Sequence, residues 1–474
     1  MSGFNVLPSR RPVSRRGFLG GCAACAAAGA CPALASPALP SAPAGDKARV
    51  RLVFSHPAKP IEGWPYLGYD YGTRKAEILK RLREALPDVE FDPVTPTRTE
   101  DAADILASGS KMDGFLVYLL GIPSPRVAAP IATSGRPTIL VDDLYGGTGE
   151  FLRAFAGARR KGFKVAGVSS SRFEDVVQAV RTFETLKKLK SSVILDVCER
   201  QGRPDPEAIR NCFGCTVRTT SAEEINDAYR KADQAESRKW ADTWVRAARK
   251  VAEPSREEIG KSGVMYVAMR DMMAAHKAQA LDIDCLRLFY GNKLPAYPCL
   301  GLHQFNDDGL VGACEADLKS TITMLSMAYL VGRPGFISDP VIDTAKNQII
   351  YAHCVAPTKV YGPKGPKSPY AIRDHSEDRK GAVVQSFLPL GQMTTTFKLD
   401  PVRKEIVFHQ GKSVANIDED RACRTKLAVE VKDPWKLLTE WDRWGWHRVT
   451  YFGDLRAPVE TFAALAGFSM VVEG

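Results

Sequence analysis

Short apolar runs alternate with amphipathic stretches from residue 49 to about residue 195. "VRLVFS", "VEFDPV", "MDGFLVYLL", "RPTILVDD" and "FKVAGVSSS" have strand length and pass into polar or Gly-containing turns, and "TRKAEILKRLREAL" carries helical spacing. Runs that are apolar at consecutive positions bury both faces, so their alternation with helices predicts a doubly wound α/β layer. A second α/β segment is predicted from about "SVILDVC" to "YAHC", with one long charged helix in "SAEEINDAYRKADQAESRKWADTWVRAARKV" and a strand at "DCLRLFY". From about residue 356 the texture changes to alternating, β-branched sequence such as "AVVQSFLPLGQMTTTFKLDPVRKEIVFHQGKSV", which predicts an antiparallel sheet or barrel. The closing "WGWHRVTYFGDLRAPVETFAALAGFSMVVEG" reads as strand, helix, strand. The expected fold class is therefore α/β. Two Rossmann-like α/β domains, at 46–195 and 196–355, precede a C-terminal antiparallel, barrel-like domain at 356–474.

Composition narrows the function classes. With 45% hydrophobic and 25% charged residues in a chain of 474, this is a globular protein of more than one domain. The net charge of +10 overstates its basicity, because Arg10, Arg11, Arg15 and Arg16 stand in a leader without acids. No basic stripe with interleaved aromatics appears, which argues against nucleic acid as a partner. No GxGxxG follows a strand, which argues against a dinucleotide. No apolar run reaches the length of a membrane span. The leader itself is informative: "SRRGFLGG", an Ala-rich segment and "ALAS" form a twin-arginine signal, with a Pro/Ala/Ser linker to about residue 45. It predicts export through the twin-arginine machinery, to the periplasm. Cys212 and Cys215 have the spacing of half a zinc site, but no second CxxC completes it, so a structural role or a disulfide is the better expectation.

Candidate chemistry gathers in "GACEADLKSTITMLSMAYLVG", where Glu315 and Asp317 stand before a long apolar helix. Acids at that position stabilise a helix start, and they also suit a cation site. In the following "RPGFISDPVIDTAKNQIIYAHC", two β-rich runs flank a turn-forming stretch. A hairpin loop centred on Lys346 pairs Asp339 with His353 on one face, with Cβ atoms about 4.5–5.5 Å apart.

These motifs resemble the L-fucose isomerase and L-arabinose isomerase family of sugar isomerases. "PCLGLHQFNDDGLVGACEADLKSTITM", "GFISDP" and "AHC" carry the resemblance, which covers most of residues 190–474. Glu315 matches the family's metal-binding glutamate. Asp339 matches the second acid at the separation of the fucose branch, and His353 matches a ligand of the arabinose branch. "WHRVTYFGD" matches the last motif, which implies His447 as the histidine ligand, and "IRDHSED" places His375 near the site. The resemblance also implies a homo-oligomer.

The residue types suit that chemistry. Aldose–ketose interconversion moves a proton between adjacent carbons through an enediol, work for a pair of carboxylates. A divalent ion lowers the cost of the developing oxyanion. Two acids and imidazoles suit Mn²⁺, with Mg²⁺ or Co²⁺ as alternatives. Glu315 and Asp339 are accordingly expected as catalytic residues and, with His353 and His447, as metal ligands. His375 and His303 are the candidate substrate contacts, although His303, like His56, His276 and His409, also reads as a structural histidine. The alternatives are an exported sugar-binding protein that keeps the fold without catalysis, and another metal-assisted reaction on carbohydrate.

Overall fold

Consecutive apolar residues in the first segment divide between two cores. The computed structural model describes residues 47–474, so the leader and linker expected at 1–45 lie outside the described residues. Strands β1 (Ala48–Ser55), β2 (Val89–Val94), β3 (Gly114–Leu119), β4 (Thr138–Asp142) and β5 (Val165–Ser169) form a parallel sheet of order β2-β1-β3-β4-β5. Val50, Leu52, Phe54, Leu116 and Tyr118 pack on one face, and Val53, Phe115, Val117 and Leu119 on the other. This two-sided burial is why the central strands β3 and β4 read as near-continuous apolar runs, whereas the edge strand β2 alternates with Glu90 exposed.

The second parallel sheet carries part of the candidate site. It is built from β6 (Val193–Val197) and β7 (Thr216–Thr220), and, after a two-residue β8 (Lys250–Val251) that pairs elsewhere, from β9 (Ala280–Ile283) and β10 (Val311–Cys314). The order is β10-β9-β6-β7, so the chain switches direction between β6 and β9. Crevices at the carboxyl ends of strands at such a switch are where open α/β sheets hold ligands. Two sequence expectations are corrected here. The long charged helix is two helices, Ala222–Lys231 and Gln234–Ala247, because the Asp233 side chain accepts the N–H groups of Ala235 and Glu236 and starts a new helix. "DCLRLFY" is a short helix, Cys285–Tyr290, because the strand ends at Ile283 where its pairing with β6 stops.

The remaining strands are β11 (Phe336–Asp343), β12 (Gln348–His353), β13 (Tyr370–Arg373), β14 (Val383–Ser386), β15 (Met393–Asp400), β16 (Glu405–Asn416), β17 (Thr425–Val431), β18 (Arg448–Phe452) and β19 (Ser469–Val472). An antiparallel ring β15-β18-β11-β12-β17-β16 is closed by β15–β16 pairing into a six-stranded barrel, with β19 parallel to β16. The hairpin β11–β12 belongs to this barrel, so barrel sequence starts at Phe336, ahead of residue 356. Its register also differs from expectation: Asp339 pairs with Ala352, and His353 pairs across to Thr425 on β17. Asp343 and Gln348 close a four-residue loop, with Asn347 at φ 53°, so the turn has no central residue at Lys346. Among the described residues no helix is long and apolar enough to cross a membrane.

Candidate functional site

Where β10 ends, the chain must reverse into the helix Leu318–Val331, and it does so through two non-glycine residues in left-handed conformation. Glu315 has φ 70° and Ala316 φ 52°. Each costs about 1 kcal/mol or more, so the neighbourhood must hold them. Ala316 N–H donates to the Ile283 carbonyl on β9 at 3.2 Å. The Arg200 guanidinium donates to the carbonyls of Glu315 and Ala316, at 2.9 and 3.3 Å, and is itself paired with Asp284 at 3.0 Å. Arg203, anchored by buried Asp196, reaches the Ala316 carbonyl from the same side. Replacement of Arg200 by Gln is expected to destabilise the fold by about 1–2 kcal/mol, read by denaturant unfolding, because a charged donor to two strained carbonyls is lost.

The two acids that the sequence places side by side do different work. Asp317 is the N-cap, accepting Ser320 N–H at 3.0 Å, so the helix-start explanation holds for it. Glu315, two residues earlier, is turned away from the helix and into a cluster with Asp339, His353 and His447. One donor atom from each of these four lies within 4.8 Å of the others. His447 Nε2 stands 3.3 Å from Glu315 and 3.2 Å from Asp339, and His353 Nε2 stands 3.5 Å from Glu315. The imidazoles are buried while the carboxylates are about a fifth exposed, so the cluster opens to solvent on its acidic side. The turn after β10 supplies Glu315, β11 supplies Asp339, the end of β12 supplies His353, and the residue before β18 supplies His447.

Electrostatics favour charge separation. Burial pushes the Glu315 carboxyl up, but the two imidazoles outweigh it and hold it well below the usual carboxylate range. His447 is depressed by burial and raised more strongly by Asp317, Asp339 and Glu315, leaving it well above an ordinary histidine. Its Nδ1 lies 3.0 Å from Asp317, which also accepts from the buried Lys398 ammonium at 2.6 Å. Asp317 therefore fixes the proton on Nδ1 and aims Nε2 at the carboxylates, the arrangement that orients metal-binding histidines. Although Nε2 of His447 is buried within reach of two carboxylates, it lies off hydrogen-bonding geometry with both. Cis ligands on a six-coordinate ion with bonds of about 2.1 Å stand about 3 Å apart, close to these separations. The donor set thus fits a divalent cation. His353 is oriented otherwise: the Cys354 N–H donates to its Nδ1 at 2.9 Å, which places the ring proton on Nε2, facing Glu315. In that tautomer His353 presents Nε2–H to the site, and it can ligate a cation there through Nε2 only by giving up that proton.

The other sequence candidates lie elsewhere. His375 pairs with Asp378 at 3.2 Å and packs against Tyr297, and it is not part of the cluster. His303 is fully buried and donates Nδ1–H to the Ala356 carbonyl at 2.8 Å, which makes it a core group with no substrate to touch. His56 stacks on Tyr71, His276 pairs with Glu224, and His409 joins Glu473 at 3.1 Å. Cys212 and Cys215 form neither a disulfide nor a metal group, and all cysteines of the described residues are free thiols. Sequence reasoning missed Lys398 and Arg200, which are distant in the chain and have no motif to mark them. It also gave Asp317 no role at the cluster, although that acid stands two residues from Glu315.

No protein-family model matches the chain. It is similar to curated sulfoquinovose isomerases: those of Priestia aryabhattai and Priestia megaterium are each 25% identical over 224 residues, 46% of this chain and 49% of theirs. The sulfoquinovose isomerase of Alkalicoccus urumqiensis is 26% identical over 185 residues, 37% of this chain and 41% of its own. The matched stretch spans about half the length of these curated relatives.

Proposed function

We propose that the protein is a metal-dependent aldose–ketose isomerase of the L-fucose and L-arabinose isomerase type, exported and oligomeric. The observation that carries this reading is the convergence of Glu315, Asp339 and His447 on one point beside His353. The likeness to sulfoquinovose isomerases supports the same reaction class and makes sulfoquinovose the first aldose to try. Glu315, Asp339 and His447 would hold the cation, Mn²⁺ in the first instance, with Mg²⁺ or Co²⁺ as alternatives. When bound, it supplies Lewis acidity toward the sugar's carbonyl oxygen. One carboxylate of the Glu315–Asp339 pair removes the proton from C2 and returns it to C1. The hydroxyl proton on O2 passes to O1, so the enediol collapses to the ketose with no atom gained or lost. His353 Nε2–H orients a sugar oxygen or the acid beside it.

The test is incubation of the purified, Mn²⁺-loaded protein with an aldose panel in D₂O, followed by NMR. Ketose carrying solvent deuterium at C1 is expected. Tight sugar binding with neither isomerisation nor exchange would instead mark a binding protein.

Binding of the cation is also expected to depend on pH. The raised His447 makes its ion pairs stabilise the metal-free fold fully below about pH 6.5, a contribution lost as pH rises through its elevated folded value. The cation needs that Nε2 unprotonated, so its affinity should rise about tenfold per pH unit until His447 has titrated. Calorimetry between pH 6 and 8 checks this, and a flat profile would show that His447 is not a ligand.

A further inference from the structure

Next to His353 lies a second group of metal-ligating atoms, which borders the carboxylate cluster where the Cys423 thiol stands 4.0 Å from Asp339. One ring nitrogen of His353, Cys354 Sγ and Cys423 Sγ all lie within 4.8 Å of one another, and all three residues are buried. Cys354 Sγ is 3.5 Å from His353 Nδ1 and 3.5 Å from Cys299 Sγ, so a third thiol stands within reach. These groups come from chain positions far apart: the end of β12, the loop before β17 and the helix Cys299–Asp308. We infer that His353, Cys354 and Cys423 form a site for a thiophilic divalent cation, of which Zn²⁺ is the natural occupant, with Cys299 available as fourth ligand.

Three features favour a tetrahedral divalent ion. Sulfur ligands about 2.3 Å from zinc stand about 3.8 Å apart, so donors separated by 3.5 to 4.8 Å need only small side-chain shifts to close on one ion. Soft sulfur with one imidazole selects zinc-like ions over the Mn²⁺ and Mg²⁺ that suit carboxylates. Two thiolates neutralise a divalent ion, so the site adds no net charge beside Glu315 and Asp339. Binding releases the two thiol protons to solvent and takes the Nδ1 lone pair that now accepts the Cys354 N–H. The proton on Nε2 is undisturbed, and Asp339 gives up only a long contact to the Cys423 thiol, so the two sites can be filled together around one shared imidazole.

Cobalt(II) reports the two sites separately. The chelator-stripped, reduced full chain, titrated with Co²⁺ without oxygen, is expected to develop a thiolate-to-cobalt charge-transfer band at one equivalent, and one equivalent of Zn²⁺ should bleach it. Glu315→Gln should retain the band even if the carboxylate site is lost, which keeps this result distinct from the isomerase reading. Cys423→Ser should lose it. Absence of the band in the unaltered protein, or its persistence in Cys423→Ser, overturns the inference. Should that variant fail to fold, X-ray absorption of the Zn²⁺-loaded unaltered chain decides: sulfur neighbours at about 2.3 Å support the site, and oxygen and nitrogen alone refute it.

Discussion

Glu315→Gln is expected to lower aldose turnover by at least about a thousandfold, because one substitution removes a proton-handling group and a cation ligand together. The amide has the same size, and nothing that holds the backbone at this position uses the side chain. Arg200 grips the carbonyl of Glu315, and Ala316 N–H is held by Ile283. The variant should therefore fold and keep its left-handed turn. What changes is the charge in the cluster. Among the described residues Glu315 is the carboxylate that lies within 4.0 Å of both His353 and His447, so its loss leaves Asp339 alone to oppose a bound cation. Calorimetric Mn²⁺ titration together with NMR turnover makes the comparison. A variant with unaltered affinity and unaltered turnover would remove Glu315 from the site and the proposed reaction with it.

The contrast between Glu315 and its neighbours shows what a sequence can and cannot transmit about such a site. Residues 315, 339, 353 and 447 could be picked out because few residue types suit a cation and their order resembles a sugar-isomerase pattern, and the structure brings the four side chains together. The doubly wound layer was legible because two-sided burial makes its central strands nearly continuous apolar runs. The hairpin register was not, because one residue more or less in a turn shifts every pair. Asp339 therefore faces Ala352 and meets the cluster from the middle of β11, beside His447. The split of the charged helix turned on one capping side chain, Asp233. Least legible were the groups that act on the site through other residues. Arg200 and Lys398 are ordinary surface residue types, and only the fold turns one into a clamp on strained carbonyls and buries the other against Asp317.

Asp317→Ala is expected to destabilise the protein by roughly 3–5 kcal/mol, the cost of leaving a buried charge without its partner. Four contacts converge on this one carboxylate: the N–H and the hydroxyl of Ser320 at the helix start, the Lys398 ammonium and His447 Nδ1. Lys398 is 2% exposed, and burial already depresses it, with Asp317 as its main compensation. Loss of the cap contributes about 1 kcal/mol, a minor part of the whole. The same change frees the His447 ring to turn and to change tautomer, which is expected to weaken Mn²⁺ binding by about 10- to 100-fold. The two effects separate in the double variant Asp317→Ala with Lys398→Met. Removing the orphaned ammonium should restore most of the stability in denaturant unfolding, since an apolar side chain tolerates that burial. Metal affinity should stay low, because nothing then holds His447 Nδ1. Recovery of affinity along with stability would mean that Asp317 acts on the site only by keeping the fold intact, and not by aiming the imidazole.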